Sequence, residues 1–415
     1  MFRSSALLSL LLLAIGGYTT PVVREPSPVK LPFAVRFNNG TNGVLNVVEA
    51  DRARINLIKE KGAALAEKHG NTHKRTSYSI SVTNTAVTYV ASVGVGSPAT
   101  SYSLLIDTGS SNTWLGADKK YVKTSTSKST GKSVSVSYGS GSFSGTEYTD
   151  TVTLSSDLVI TKQSIGVAST ASGFSGVDGI LGIGPTDLTE GTLGSSSSTK
   201  IPTVTDNLYS QGTISTAAVG IYYAPTTVES TTNGELTFGG ADSSKYTGSL
   251  HYVSLTSTSP ASEYWGIDQS IKYGSTSILS STAGIVDTGT TLVYLATDAF
   301  DKYKSATGAK LDSTTGLLRI TTAQYNDLSD LVFTIGGKKY TLTPNAQIWP
   351  RSLNSYIGGS SSHIYLVVND IGSSSGSGLD FIDGYTFLER FYTVFDTTNS
   401  RFGIATTAKT TATSN

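Results

Sequence analysis

The sequence carries the motif Asp-Thr-Gly twice, each time directly after an apolar run. The first run ends in Asp107, which is followed by Thr108, Gly109 and Ser110, and the second ends in Asp287, 180 positions later (287 minus 107). An apolar run predicts a buried strand, and the Thr-Gly that follows predicts a sharp turn. Each Asp is therefore expected at the end of a strand, held in a rigid loop.

A pair of neighbouring carboxyl groups can perform acid–base catalysis. At a separation of about 3 Å two carboxylates cannot both ionise easily, so their pKa values move apart and one acts as base while the other acts as acid. Such a pair can activate a water molecule for attack on a carbonyl group. A single Asp-Thr-Gly also fits an Asx turn or part of a phosphorylated-Asp motif. Its duplication in matched apolar surroundings favours the catalytic interpretation.

The two motifs resemble those of the pepsin-like aspartic endopeptidases, with Asp-Thr-Gly-Ser-Ser-Asn-x-Trp at 107–114 and Asp-Thr-Gly-Thr-Thr at 287–291. The resemblance covers nearly the whole chain, and it is greatest to the fungal polyporopepsin type, which likewise lacks cysteine. It implies an all-β, bilobal fold with the active site in a cleft between two related lobes. It also implies hydrolysis of peptide bonds between mainly hydrophobic residues at acidic pH, with Asp107 and Asp287 as the catalytic pair and with no cofactor or metal.

The resemblance also implies roles for residues around the pair. Thr108 and Thr288 would cross-link the two loops, and Ser110 and Thr290, each three residues after an Asp, could hydrogen-bond its outer oxygen. The residues expected to line the substrate cleft are Leu105, Gly109, Trp114, Ile180, Ile285, Gly289, Thr291 and Ile382. For any one aliphatic member of that set, burial in the core is an equally good interpretation.

Residues 136–143 predict the tip of a β-hairpin, with glycines where a turn needs them. This segment resembles the flap that closes over bound peptide in the family. Tyr138 would then shield the site and hydrogen-bond with Trp114, with Gly139 and Ser140 at the tip; the alternative is a tyrosine facing solvent. Ser140 stands where relatives that accept lysine at P1 carry Asp, which implies a hydrophobic or aromatic P1 residue.

The chain divides into four segments. Residues 1–20 are typical of a secretory signal peptide: Arg3 precedes an apolar run, and small residues follow it. Residues 21–75 hold ten Lys and Arg against five acids and resemble a propeptide, with an amphipathic helix predicted at 50–68. The dibasic pair Lys74-Arg75 is the expected cleavage site. The N-terminal β lobe, with Asp107 and the flap, is assigned to 76–245, and the C-terminal lobe, with Asp287, to 246–415.

A coarse prediction of secondary structure places strands at 88–95, 133–138, 146–154, 235–238, 331–335 and 391–395, and helices at 204–211 and 298–306. Residues 178–184 and 381–384 resemble the strand that crosses beneath the Asp loop in each lobe of the family. Asp383 departs from that pattern because the family carries an aliphatic residue there.

Composition excludes several other classes of protein. The 415 residues contain no cysteine, which excludes disulfides and thiol catalysis, and 14% charged residues without a basic stripe give no sign of a nucleic-acid partner. The ten-residue apolar run is too short to span a membrane.

We expect a secreted, extracellular monomer, with delivery to a vacuole as the alternative. Its expected partners are polypeptide substrates, its own propeptide as inhibitor, and pepstatin-type inhibitors.

Two alternative functions have less support. A catalytically inactive relative that binds a protein or a sugar would typically lack an Asp or the flap tyrosine, whereas Asp107, Asp287, Tyr138 and Thr290 are all present. A zinc hydrolase is disfavoured because the four histidines, at 69, 73, 251 and 363, show no ligand spacing.

Overall fold

The structure is a computed structural model that describes residues 28–37, 44, 46–70, 87–139, 141–194, 198–228 and 230–415. The predicted signal peptide, the cleavage site Lys74-Arg75 and the flap residue Ser140 lie outside these ranges. Within the described ranges, no helix is both long and apolar enough to cross a membrane.

Strands dominate the described chain, as the all-β prediction requires. The first twelve strands are β1 (Val29–Phe37), β2 (Val87–Val95), β3 (Thr100–Asp107), β4 (Thr113–Leu115), β5 (Lys128–Ser137), β6 (Ser142–Ser155), β7 (Leu158–Ser172), β8 (Gly179–Gly182), β9 (Ala218–Tyr222), β10 (Ser230–Phe238), β11 (Thr247–Ser254) and β12 (Gly266–Tyr273). The others are β13 (Thr276–Val286), β14 (Val293–Leu295), β15 (Lys310–Leu311), β16 (Leu318–Ile320), β17 (Leu331–Ile335), β18 (Lys338–Leu342), β19 (Ile364–Tyr365), β20 (Val368–Asp370), β21 (Phe381–Asp383), β22 (Phe391–Asp396) and β23 (Arg401–Thr406).

The helices are few, and one of them precedes the duplicated part of the chain. The α-helices are α1 (Val47–Gly70), α2 (Val204–Ser210), α3 (Thr297–Thr307), α4 (Thr322–Asn326) and α5 (Tyr385–Leu388). Short 3₁₀ helices lie at Thr186–Thr189, Ala261–Glu263, Pro344–Gln347 and Arg351–Ile357. The helices predicted at 50–68, 204–211 and 298–306 are confirmed by α1, α2 and α3. A capping box between Thr203 and Asp206 starts α2, and left-handed Gly308 ends α3.

The strands of the described residues form two large sheets and one small one. The largest has the order β11-β23-β22-β9-β10-β1-β2-β3-β8-β4-β7-β6-β5, so it runs from the C-terminal strands into the first half of the chain. In it, β1 is inserted between β10 and β2, antiparallel to both. The second sheet, β18-β17-β12-β13-β21-β14-β20, belongs to the second half. β15, β16 and β19 form the third.

One local arrangement occurs in both halves. In the first, β3 runs parallel to β8 and β8 pairs antiparallel with β4; in the second, β13 runs parallel to β21 and β21 pairs antiparallel with β14. In both cases the central strand is the one predicted to cross beneath the Asp loop. Each Asp loop is therefore held on both sides by backbone hydrogen bonds, which makes its position rigid.

Asp383 lies in the central strand of the second arrangement and is fully buried. Its Oδ1 accepts a hydrogen bond from Gln269 Nε2 at 3.2 Å, whereas Oδ2 has no partner among the described residues. Burial raises the pKa of Asp383 to about 8, although the bond from Gln269 opposes the rise. This carboxyl group is therefore neutral at acidic pH, and the core accommodates it as a small polar side chain.

Candidate active site

The two Asp-Thr-Gly loops meet, and they place Asp107 and Asp287 side by side. Asp107 is the last residue of β3 and Asp287 follows β13, and both side chains are fully buried. The backbone N–H of Gly109 donates to Asp107 Oδ1 at 3.0 Å, and that of Gly289 donates to Asp287 Oδ1 at 3.1 Å. In each loop, the N–H of the glycine two residues after the Asp therefore orients the carboxylate.

A hydroxyl group holds the second oxygen of each carboxylate. Ser110 Oγ donates to Asp107 Oδ2 at 2.5 Å, and Thr290 Oγ1 donates to Asp287 Oδ2 at 2.6 Å. Hydrogen bonds to a carboxylate are stronger than neutral ones and favour its ionised form. These contacts are the ones expected from the spacing of three residues.

Thr108 and Thr288 tie the two loops together. The backbone N–H of Thr108 donates to Thr288 Oγ1 at 3.0 Å, and the N–H of Thr288 donates to Thr108 Oγ1 at 2.9 Å. Thr288 Oγ1 also donates to the carbonyl of Ile106 at 3.2 Å. This reciprocal pair sets the distance between the two Asp residues across the lobe boundary.

A cation from helix α1 lies between the carboxylates. Arg54 Nη2 is 2.5 Å from Asp107 Oδ1 and 2.9 Å from Asp287 Oδ1, and its Nε is 2.7 Å from Asp287 Oδ2. The sequence interpretation predicted the helix but not this residue. A signal existed, because Arg54 lies on the apolar face between Ala50 and Ile58, at a spacing of four residues on either side.

The guanidinium group changes the protonation of the site. Burial by itself opposes ionisation of Asp287, but the charge of Arg54 and its hydrogen bonds outweigh burial and lower the pKa of Asp287 below its usual value. In the same way, burial of Arg54 is outweighed by the two carboxylates, and its pKa is raised well above the ordinary value. The buried charges are therefore paired, as buried charges must be.

Three glycines make room for the helix. A β-carbon at Gly109 would meet Arg54 Nη2 and lie 2.6 Å from Asp287 Oδ1, and one at Gly289 would meet the same guanidinium. Gly139, at the tip of the hairpin formed by β5 and β6, has a φ of 74°. A β-carbon there would lie 2.5 Å from the carbonyl carbon of Ala53. The hairpin tip therefore closes directly onto the helix backbone.

Tyr138 lies against Trp114, as the sequence predicted. Their ring centroids are 6.1 Å apart with the planes inclined by 29°, and Phe174 meets Tyr138 edge-on at 5.4 Å. Trp114 Nε1 and the Tyr138 hydroxyl are both buried. The structure places the two side chains together, and the hydrogen bond between them stays a prediction.

The remaining predicted cleft residues differ in their surroundings. Leu105 and Ile180 pack in a small apolar cluster with Trp114 and Tyr138, next to the hairpin tip. Ile285 and Ile382 are fully buried in the main core. Thr291 presents its backbone N–H to the cleft, where it donates to Asp51 of α1 at 3.0 Å. A role in substrate binding stays a prediction for all five.

Helix α1 contacts both halves of the molecule along its length. Lys59 Nζ donates to the carbonyl of Ile371 at 2.9 Å, and Lys61 Nζ donates to the carbonyl of Leu188 at 2.5 Å. Near its C-terminal end, Lys68 pairs with Glu190, and His69 lies 3.3 Å from Glu190 and 3.2 Å from Glu263. A cavity of about 10 Å³ lies between the helix and the described residues of the hairpin. The helix thus lies in the cleft, in contact with both halves.

One group of side chains has the composition of a metal site. The ligand atoms of His69, Asp187 and Glu190 all lie within 4.8 Å of one another. However, Lys200 is 2.7 Å from Asp187, and Lys68 pairs with Glu190. Ammonium groups already neutralise these carboxylates, so the group fits an ion-pair network better than a metal site.

A bilobal β fold with two Asp-Thr-Gly loops meeting in a cleft defines a class of proteolytic enzyme. Residues 88–407 match the family model described as eukaryotic aspartyl protease, and the chain belongs to this family. It is a pepsin-like aspartic endopeptidase, similar in sequence to polyporopepsin of Irpex lacteus, with 71% identity over 338 residues that make up 81% of this chain and 99% of polyporopepsin.

More distant relatives and a solved structure are consistent with this family assignment. Syncephapepsin of Syncephalastrum racemosum is 33% identical over 410 residues, covering 95% of this chain and 96% of its own. Pepsin A of Sus scrofa is 32% identical over 77% of this chain and 81% of its own. The crystal structure of the aspartic proteinase from Irpex lacteus superposes with a TM-score of 0.77 at 72% identity, over 79% of this chain and 96% of the other.

Proposed function

We propose that this endopeptidase is a secreted zymogen whose mature form cleaves peptide bonds between mainly hydrophobic residues at acidic pH. In this proposal Asp107 and Asp287 are the catalytic pair, residues 1–20 direct secretion, and residues 21–75 are an inhibitory propeptide that ends at Lys74-Arg75. The mature enzyme then acts as a monomer with lobes at 76–245 and 246–415. The observation that carries the proposal is the contact of Arg54 with both carboxylates.

The chemistry follows from the geometry of the pair once the helix has left. A water molecule then takes the position of the guanidinium, between the carboxyl groups of Asp107 and Asp287. The ionised carboxylate accepts a proton from this water while the oxygen attacks the scissile carbonyl carbon, and the protonated carboxyl group donates its proton to the carbonyl oxygen. The tetrahedral intermediate collapses when the nitrogen of the leaving group receives a proton from the pair and the C–N bond breaks.

The surrounding residues orient this reaction. Ser110 and Thr290 hold the outer oxygens, so the inner oxygens face the water. Tyr138 and the hairpin tip exclude solvent when peptide is bound, and Gly109 and Gly289 allow the peptide backbone to approach closely. Leu105 and Ile180, beside Trp114, would receive a hydrophobic side chain on one side of the scissile bond. Pepstatin-type inhibitors would bind the same cleft.

Acid is the proposed trigger for release of the helix. The pKa of Asp287 is lowered by Arg54 in spite of burial, and that of Glu190 is lowered by the hydrogen bond from Lys68. A carboxylate whose pKa is lowered by a contact stabilises that contact above its unperturbed pKa and loses the contribution as the pH falls through the lowered value. Asp51 acts in the opposite direction because burial raises its pKa to about 7. Release at acid pH therefore depends on Asp287 and Glu190.

Replacing the cation tests the proposal. Arg54→Ala removes the group that occupies the position of the water, so the intact chain should cleave a fluorogenic peptide at pH 5.5 to 6 without prior exposure to acid, whereas wild type should need it. Arg52→Ala is the matched control because Arg52 is an exposed arginine two positions away on the same helix. An intact Arg54→Ala chain as inactive as wild type, with an unchanged circular dichroism spectrum, would contradict the inhibitory role.

A further inference from the structure

A second polar contact joins helix α1 to the cleft, independent of Arg54. Asp51 Oδ1 accepts a hydrogen bond from the backbone N–H of Thr291 at 3.0 Å, and Asp51 Oδ2 accepts one from the N–H of Leu292 at 3.0 Å. The Asp51 side chain is buried. Both oxygens of one carboxyl group are therefore bound by two successive amides of the second Asp loop.

Successive backbone N–H groups that point the same way are a recurrent binding site for carboxylates and other anions. Here the loop is held by its own ladder: the carbonyl of Thr290 accepts from the N–H of Tyr385, and that of Thr291 accepts from the N–H of Thr386. The carbonyl groups are thus used within the lobe, while the N–H groups of Thr291 and Leu292 face the cleft. The amide pair belongs to the catalytic part of the chain, so it persists when the helix is absent.

The charged and titratable groups near Asp51 come from three elements. Arg54 faces it from the same helix, and the phenol groups of Tyr294 and Tyr385 face it from the second lobe. The Tyr294 hydroxyl is buried without a well-aligned hydrogen-bond partner among the described residues, whereas each of the two amides donates to Asp51 at 3.0 Å. The amide pair is therefore the group that binds this carboxyl.

Asp51 and Arg54 together determine how the helix can lie in the cleft. They are three residues apart, so they project from the same face about one turn apart along the axis. Moving the helix by one residue rotates each side chain by about 100° and shifts it by about 1.5 Å, which breaks both contacts at once. Two fixed polar contacts on one face therefore select a single register.

We propose that the N–H groups of Thr291 and Leu292 form a carboxyl-binding subsite of the cleft, and that Asp51 is its occupant in the zymogen. The ligand class is a helical Asp-x-x-Arg segment, with the guanidinium on the catalytic pair and the carboxyl on the amide pair. This inference rests on the proposed inhibitory role of the helix and adds the residue that positions it. Asp51 acts through Arg54: it holds the helix in the register that brings the guanidinium between the carboxylates.

The test measures how often the cleft of the intact chain is open. A fluorescent pepstatin binds only the open cleft, so its apparent Kd on the full-length chain equals the intrinsic Kd divided by the open fraction. Binding is measured by fluorescence polarisation at pH 7, with intactness checked by gel electrophoresis. The variants are Asp51→Asn, Asp51→Ala and Arg54→Ala, with Glu60→Ala as control because Glu60 is an exposed acid on the same helix.

We expect both Asp51 variants to lower the apparent Kd for pepstatin at least tenfold. The two hydrogen bonds to the Asp51 carboxyl group are lost or replaced by a poor match, so the cleft is open more often. Asparagine is the decisive change. It keeps the shape of Asp51 but presents an NH₂ group to one of the two N–H donors, so packing is retained while the second bond is not. Glu60→Ala should stay within twofold of wild type.

The outcomes separate this inference from the proposed function. If Asp51→Asn binds pepstatin within twofold of wild type while Arg54→Ala binds it at least tenfold more tightly, the helix is inhibitory but the amide pair is not its anchor. If neither variant tightens binding, the inhibitory role of the helix is itself overturned, and the anchor with it. Matching melting temperatures across the variants would show that the comparison is made on folded chains.

Discussion

The two Asp loops are nearly identical in their contacts, whereas the strands that cross beneath them differ at one buried position. Each carboxylate receives a glycine N–H and a hydroxyl from the residue three positions on. In the first lobe, Leu181 pairs with Ile106, the residue just before Asp107, and in the second lobe Asp383 pairs with Val286, the residue just before Asp287. Both side chains are fully buried.

This difference indicates that the proposed catalytic role constrains the two loops in the same way, whereas the stability of the core beneath them does not. The contacts that orient the carboxylates recur because both must have a defined geometry. The core beneath the loops has no such requirement, and the second lobe accommodates a carboxyl group that must stay neutral to remain buried. Glu389, also from the second half, is a further buried acid. Burial raises its pKa to about 7, although the hydrogen bond from the Tyr89 hydroxyl opposes the rise. Sensitivity to neutral pH should therefore be concentrated in the second half.

The largest expected effect tests the equivalence of the two loops in catalysis. Asp107→Asn and Asp287→Asn should each lower kcat/KM for a peptide substrate by several orders of magnitude, because either change removes the acid–base pair. Both acid-activated variants should keep the wild-type circular dichroism spectrum. Activity within about tenfold of wild type for either one would show that the two loops are not equivalent.

The next largest expected effect concerns Asp383, the buried acid in the strand beneath the second Asp loop. The pKa of Asp383 is raised to about 8, from an unfolded value near 3.9, so its stabilising contribution is complete below about pH 4 and is lost as the pH rises to about 8. Over this range Asp383 should lower the free energy of unfolding of wild type by up to about 1.4 kcal/mol per pH unit. Asp383→Leu should abolish that decrease. The melting temperature of the variant should equal or exceed that of wild type at pH 7, with a smaller difference at pH 4.

The reciprocal change sharpens the same test. Leu181→Asp should give the first lobe the same sensitivity, with a melting temperature that falls more steeply than that of wild type between pH 4 and 8. Asp383→Asn is the control for size, because it removes the titration without adding apolar volume. A Leu181→Asp variant with the wild-type pH profile would show that the first lobe tolerates a buried charge that the second does not.

A smaller effect concerns the hydroxyl groups on the outer oxygens. Thr290→Ala removes a hydrogen bond that lowers the pKa of Asp287, so the acidic limb of its pH–rate profile should move to higher pH, and Ser110→Ala removes the equivalent hydroxyl contact to Asp107. We expect a loss of roughly 10- to 100-fold in kcat/KM, since hydrogen bonds to charged groups contribute about 1.5–3 kcal/mol. Similar losses in the two variants would support symmetry, and an unmoved acidic limb would contradict the assigned contacts.

The smallest effect concerns the link between the loops. Thr288 Oγ1 accepts from the N–H of Thr108 and donates to Ile106, whereas within the described residues Thr108 Oγ1 accepts from the N–H of Thr288 and has no second bond of this kind. Thr288→Ala should therefore destabilise the protein by about 1 kcal/mol more than Thr108→Ala, the net contribution of one hydrogen bond. Urea unfolding measures the difference, and equal losses would show that the bond to Ile106 contributes nothing.

Local patterns in the sequence determined the elements and the identity of the pair. The apolar runs before Asp107 and Asp287 are buried strands, the Thr-Gly turns follow them, and helix α1 lies where the spacing of apolar residues predicted it. These features depend on neighbours within a few residues, so a single sequence displays them. The spacing of three residues likewise sufficed for Ser110 and Thr290, because the loop brings each hydroxyl back to its own carboxylate.

Contacts between distant segments were decided only by the tertiary structure. Arg54 meets Asp287 across 233 positions, and Asp51 meets Thr291 across 240. The sequence places Arg54 on the apolar face of the helix, but it does not show which distant groups Arg54 or Asp51 meets. Tyr138 and Trp114 show the same limit, since the sequence predicted that they lie close together but only the packing decided how their rings are arranged. The sequence determines which residues can do chemistry, and the packing of the helix into the cleft determines which of them meet, because that choice depends on the shape of both surfaces.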